Sequence, residues 1–200
     1  PFHDTRDLDE ARKGFIAAPD FRQIMADAGH VAWNIGAYDY LLDGQQFDSI
    51  HPSLQRQATL NMEYGLYEVV PGAVYQVRGF DLANISFVRS DSGWIVFDPL
   101  TNRETAAAAV ALVTEHLGER PVVAVVYSHS HVDHFGGVRG VVDEADVKAG
   151  RVQVIAPVGF MTHAVAENVY SGNAMNRRAF YQYGVLLDRS ADSRVHRRVM

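Results

Sequence analysis

The chain has 200 residues, 48% hydrophobic and 21% charged, a balance that suits a folded core of one domain or slightly more and excludes a disordered segment. A net charge of −6 argues against a nucleic-acid or anionic-membrane binder, which needs a basic face. Zero cysteines exclude a disulfide framework, a thiol nucleophile and any thiolate metal site. No apolar run approaches the roughly 18 residues of a spanning helix. The first residues, Pro1-Phe2-His3-Asp4, are neither an initiator Met nor a basic-then-apolar leader, which leaves the compartment open.

In chain order, residues 1–64 read as a polar, helical segment, with Pro52 opening a helix that Gly65 closes. Leu66–Val70, Val74–Arg78, Ile85–Arg89 and Trp94–Asp98 are short β-branched or aromatic runs. Pro71-Gly72, Gly79 and Ser90–Gly93 separate them, which predicts an antiparallel meander. Asn102-Arg103-Glu104 starts an Ala-rich helix that Gly118 stops. Val122–Tyr127 is continuously apolar, as expected of a strand buried on both faces. A short helix near Val138–Val147, a strand Val152–Ala156 and helices across Phe160–Tyr183 follow. Strands first and β-α units second predict an α/β layered domain. Residues 188–200, with Arg189, Arg194, Arg197 and Arg198, form a divergent Arg-rich tail.

The chemistry concentrates in Ser128-His129-Ser130-His131-Val132-Asp133-His134, directly after the apolar strand. Side chains two apart in an extended segment point the same way, so His129 and His131 can converge on one point. Asp133 and His134 need a tight turn to reach a second point, and Phe135-Gly136-Gly137 supplies backbone freedom for it. Imidazole and carboxylate suit Zn²⁺ and similar ions. Four donors split two and two predict a metal pair, roughly 3.5–4 Å apart, that activates water. Asn173, Arg178 and Tyr183 follow in sequence and are candidates for an oxyanion, since a guanidinium fork matches one. Neither Ser128 nor Ser130 sits in a G-x-S-x-G elbow, so a serine nucleophile is not expected.

The motif His129-x-His131-x-Asp133-His134 after an apolar strand resembles the metallo-β-lactamase superfamily. Pro52-Ser53-Leu54-x-Arg56-Gln57, Tyr75–Asp81, Gly93–Leu100, Ser128–Gly137, Ala166–Val169 and Gly172–Arg178 narrow that to its bacterial alkylsulfatases. The likeness runs from about Ala11 to Leu187. It implies an αββα layered domain, with 1–64 as a helical segment packing on it and 65–187 as the N-terminal part of a truncated catalytic domain. It implies a binuclear zinc hydrolase that converts alkyl sulfates, dodecyl sulfate among them, to alcohol and inorganic sulfate. His129 and His131 would serve one zinc, Asp133 and His134 the other. Asp98 would match the superfamily's strand-end aspartate that braces the histidine loop from behind. The attacking group would be metal-activated water, with no catalytic side chain identified.

The family's further glutamate and histidine ligands, its dimerisation region and its C-terminal domain have no counterpart in this sequence. Homodimerisation is therefore a family property whose region is absent here, and an incomplete, non-catalytic chain is the alternative reading. Another hydrolase of the same fold, acting on a lactam, thioester or lactone, is the other. The resemblance implies a periplasmic or secreted location.

Overall fold

The computed structural model describes residues 4–48 and 50–183, and the Arg-rich tail lies outside them. The chain divides into two compact units. Among the described residues, the larger comprises Lys13–Ile35 and Tyr64–Ala164, the smaller 4–12, Gly36–Glu63 and 165–183.

The larger unit is built on a seven-stranded sheet. Strands β1 (Phe15–Ala17), β4 (Gly65–Val70), β5 (Val74–Arg78), β6 (Ile85–Arg89) and β7 (Trp94–Phe97) lie side by side in that order, every pair antiparallel. β5 shows why these residues form a strand: Tyr75 and Val77 are buried while Val74, Gln76 and Arg78 are only half-buried, the period-2 alternation of a pleat. After β7 the sheet changes character. Helix α3 (Arg103–Leu117) crosses over to β8 (Val122–Val126), which runs parallel to β7, and β9 (Gln153–Ile155) runs parallel to β8 at the edge. A parallel neighbour needs such a crossover.

Helix α3 presents Thr105, Ala106, Ala109, Leu112 and Val113 to the interior, one stripe at helical spacing. Ala109, Leu112 and Val113 among them join Tyr75, Phe80, Phe87, Trp94, Val96 and Val125 in one apolar core. Its N-terminus is held twice. Asn102 accepts from the Thr105 amide at 2.9 Å. Buried Asp81 accepts from the Thr101 amide and from the hydroxyls of Thr101 and Thr105 at 3.1, 2.6 and 2.6 Å. A carboxylate at that end also meets the positive pole of the helix.

The helical reading of residues 1–64 is corrected in one respect. Beside α1 (Arg6–Ala11) and α2 (Pro52–Leu60), it contains β1 and a two-stranded antiparallel ribbon of β2 (Gln23–Met25) and β3 (Val31–Asn34). Strands of three or four residues are too short to leave a periodic signal, and pairing partners rather than local sequence make them. The single helix expected near Val138–Val147 is two pieces, a 3₁₀ turn at Val138–Gly140 and α4 (Glu144–Lys148).

The smaller unit has its own core of Leu41, Phe47, Ile50, Ala58 and Met62. Arg56 on α2 binds Asp7 on α1, and Arg12 reaches Glu63 at 2.7 Å. After α5 (Phe160–Val165), this unit also holds a π-helical turn at Ala166–Tyr170 and α6 (Gly172–Gln182).

Candidate functional site

Strands β7 and β8 are parallel with Phe97 opposite Val126, so the residues just beyond them, Asp98 and Ser128, emerge at the same end of the sheet. That end, where parallel strands finish, is where open α/β sheets place ligands. Asp98 sits there in the left-handed region at φ 54°, and two residues on Leu100 repeats it at φ 61°. Left-handed backbone costs a residue with a Cβ about 1–2 kcal/mol. For aspartate the region is tolerated; for leucine it is an outlier. Several contacts fix the turn. The Asp98 amide donates to the Val126 carbonyl at 3.0 Å, the Leu100 amide to the Asp98 carbonyl at 2.8 Å, and the Gly137 amide to the Leu100 carbonyl at 2.9 Å. The Leu100 side chain is fully buried.

The histidine loop folds back on itself through a 3₁₀ turn at Val132–His134, closed by the His134 amide on the His131 carbonyl at 3.0 Å. This turn gathers the rings. The centroid of His129 is 4.6 Å from that of His131 and 4.1 Å from that of His134. Asp133 joins them, its Oδ2 3.4 Å from His134 Nε2.

Gly136 and Gly137 do not serve by adopting positive φ. A Cβ on Gly136 would lie 2.1 Å from the Thr101 carbonyl oxygen, and one on Gly137 2.2 Å from that of Pro99. The glycines let the loop pass against the start of α3, a reason that spacing alone does not reveal.

Asp98 lies beneath the rings. Its Oδ1 accepts from the Ser128 amide at 2.8 Å, and its Oδ2 from the Ser128 hydroxyl at 2.7 Å and His134 Nδ1 at 2.9 Å. With Nδ1 carrying the proton, a neutral His134 presents the lone pair of Nε2 toward Asp133 Oδ2. Two acceptors do not attract one another. Their 3.4 Å separation does match the edge of a tetrahedron of ligands about 2.0–2.1 Å from a zinc ion, about 3.4 Å. In kind and in this one spacing the donors suit such an ion. Among the described residues, however, no group of three or more such side chains is placed to hold a metal at one point.

Behind the loop, Tyr127 packs against Phe135 and Phe160 with centroids at 5.9 and 5.3 Å. Burial pushes the Tyr127 phenol above its ordinary pKa. Tyr127 and Phe160, with Val154, Ala156, Pro157 and Met161, line an apolar cavity of about 420 Å³.

The remaining candidates fall in the smaller unit: Asn173 and Arg178 are exposed on α6, and Tyr183 follows its end. Sequence reasoning missed Ser128, which it weighed only as a nucleophile, and Asp81. The signal for Ser128 was its position at the end of a parallel strand, beside the strand-end Asp98.

The profile of the metallo-beta-lactamase superfamily matches residues 78–195. An (R)-specific secondary-alkylsulfatase of Pseudomonas sp. is 52% identical over 195 residues, which is 98% of this chain and 29% of that protein. A linear primary-alkylsulfatase of Pseudomonas sp. is 52% identical over 94% of this chain and 28% of its own length. An alkyl/aryl-sulfatase of Saccharomyces cerevisiae is 45% identical over 98% and 30%. Among solved structures, the stereoselective inverting sec-alkylsulfatase Pisa1 from Pseudomonas sp. superposes with a TM-score of 0.86 at 53% identity, covering 96% of this chain and 30% of that one. The chain thus spans under a third of the length of the relatives it matches.

Proposed function

This chain belongs to the metallo-beta-lactamase superfamily, and from that premise we propose that it acts in the hydrolysis of alkyl sulfate esters, dodecyl sulfate among them, to alcohol and inorganic sulfate. The observation that carries the reading is identity near 50% along almost the whole chain to proteins named as alkylsulfatases. Zinc is the proposed metal, with His129, His131, Asp133 and His134 as its ligands. Bound divalent ions would supply Lewis acidity toward a sulfate oxygen and lower the pKa of water.

The chain's own residues have separate tasks in this reading. Asp98 holds the Nδ1 proton of His134, which keeps Nε2 free as a donor. Buried Leu100 and the close-packed glycines fix the loop in place. Arg178, Asn173 and Tyr183 are assigned to sulfate recognition on their chemistry alone, a guanidinium fork with neutral hydrogen-bonding partners. A periplasmic or secreted location belongs to the same proposal.

One observation favours a second reading, in which the chain by itself is non-catalytic. No three-donor group among the described residues converges on one point, and the relatives are more than three times longer. Zinc per chain and sulfate release from a series of alkyl sulfates, with His131→Ala as control, separate the two. Release that the substitution abolishes supports hydrolysis by this chain. Absence of release, with zinc bound or not, overturns hydrolysis by this chain alone and supports the second reading.

A further inference from the structure

We propose that Ser128 is a positioning residue, through which the single carboxylate of Asp98 sets the tautomer of His129 as well as that of His134. The available protons dictate this arrangement. An ionised carboxylate only accepts hydrogen bonds, so at the 2.7 Å contact between Ser128 Oγ and Asp98 Oδ2 the hydroxyl is the donor. A hydroxyl has one proton. Its second contact, 2.8 Å to His129 Nδ1, is therefore one in which Ser128 accepts and the ring donates. His129 is held as the Nδ1–H form with its lone pair on Nε2. His134 reaches the same form by donating Nδ1–H directly to Asp98 Oδ2 at 2.9 Å.

The Ser128 amide occupies Asp98 Oδ1 at 2.8 Å, which fixes the carboxylate's orientation and keeps Oδ2 turned toward the two other donors. The two rings lie 4.1 Å apart by centroid, so one carboxylate and one hydroxyl orient two neighbouring imidazoles. Alanine at position 128 would leave His129 without its partner and free to exchange tautomers. It would leave the direct bond from Asp98 to His134 in place.

The inference rests on the reading of these imidazoles as metal ligands only for its purpose, not for its test. The test is the ¹⁵N spectrum of the histidine side chains in the metal-free chain at mildly alkaline pH. The wild type is expected to give a protonated Nδ1 and an unprotonated Nε2 for both His129 and His134. In Ser128→Ala, His129 is expected to lose that signature while His134 keeps it, the latter reporting an intact loop. Ser128→Thr, which retains the hydroxyl, restores His129. Zinc affinity should fall about 10-fold or more in the alanine variant and recover in the threonine one.

A wild-type His129 protonated at Nε2 would overturn the proposal. So would an unchanged His129 in Ser128→Ala, or loss of both signatures, which would make Ser128 a structural residue of the loop. None of these outcomes depends on sulfatase activity, and absence of activity leaves the tautomer assignment untouched.

Discussion

Asp98 accepts the Nδ1 proton of His134 at 2.9 Å, a bond between residues 36 apart in sequence that ties the end of β7 to the loop after β8. The same carboxylate takes both donors of Ser128, so three hydrogen bonds depend on it. Asp98→Ala is expected to leave a half-buried imidazole and a hydroxyl without their acceptor and to weaken zinc binding by about 10–100-fold. Asp98→Asn turns one acceptor oxygen into a donor and should recover only part of that. Equilibrium competition with a chromophoric chelator measures both, and equal affinity in all three chains would refute the bracing role.

Gly137 is where a small change should do most harm. The Cβ of Gly137→Ala would fall 2.2 Å from the Pro99 oxygen, 2.5 Å from that of Asn102 and 2.9 Å from the Ala106 side chain. Two of these three neighbours are backbone and cannot rotate away. Destabilisation of about 3 kcal/mol, at the upper end for overpacking, is expected in urea denaturation. Gly172→Ala, at a position with nothing within 4 Å, serves as the contrast and should be neutral or stabilising by up to about 1 kcal/mol.

Leu100 combines full burial with a left-handed backbone, and the two pull in opposite directions. Truncating a buried leucine to alanine costs about 2–5 kcal/mol. Glycine ordinarily costs a further 0.5–1 kcal/mol or so, but at φ 61° it instead relieves strain of about 1 kcal/mol. Leu100→Gly is therefore expected to be the more stable of the two variants, though less stable than the wild type. Thermal melts of the three chains test the order, and the usual ranking of alanine above glycine would remove the case for strain at this turn.

Tyr127 predicts an alkaline limit. Burial raises its folded-state pKa, so at neutral pH it is un-ionised whether the chain is folded or not and contributes no pH dependence. Above the unfolded value near 10, the unfolded chain loses the proton while the folded one keeps it, and stability falls as pH rises until the folded group ionises too. Tyr127→Phe should lose stability less steeply than the wild type in that range. Melting temperatures across the alkaline range provide the comparison; parallel curves would assign the loss to other groups.

How far the sequence carried can be judged from particular elements. The meander was legible because its strands are short β-branched or aromatic runs and turn residues separate them. Helix α3 was legible from its polar start, its Ala-rich run and the glycine that stops it, but not the face it buries. The histidine loop was legible as spacing, because its donors lie within seven residues. The three short strands before residue 35 were not, since their conformation comes from partners rather than from their own pattern. Neither was the role of Ser128, which depends on a register between β7 and β8 that no local pattern encodes. Strain at Leu100 was hidden too, because leucine is the last residue local preference would place there.

The register of Phe97 against Val126 has a consequence for how the loop can be altered. Asp98 and Ser128 meet because two strands joined by a fifteen-residue helix finish level with each other. The distance that matters to the imidazoles is therefore measured along the sheet, not along the chain. Length can change in the turn after α3 without moving the loop, provided the strands still end together; the turn before α3 is held against the loop itself. A slip of one residue between β7 and β8 would leave all seven residues of the loop unchanged and still separate the carboxylate from the rings it orients. A peptide copied from the loop would have every donor and nothing to aim them.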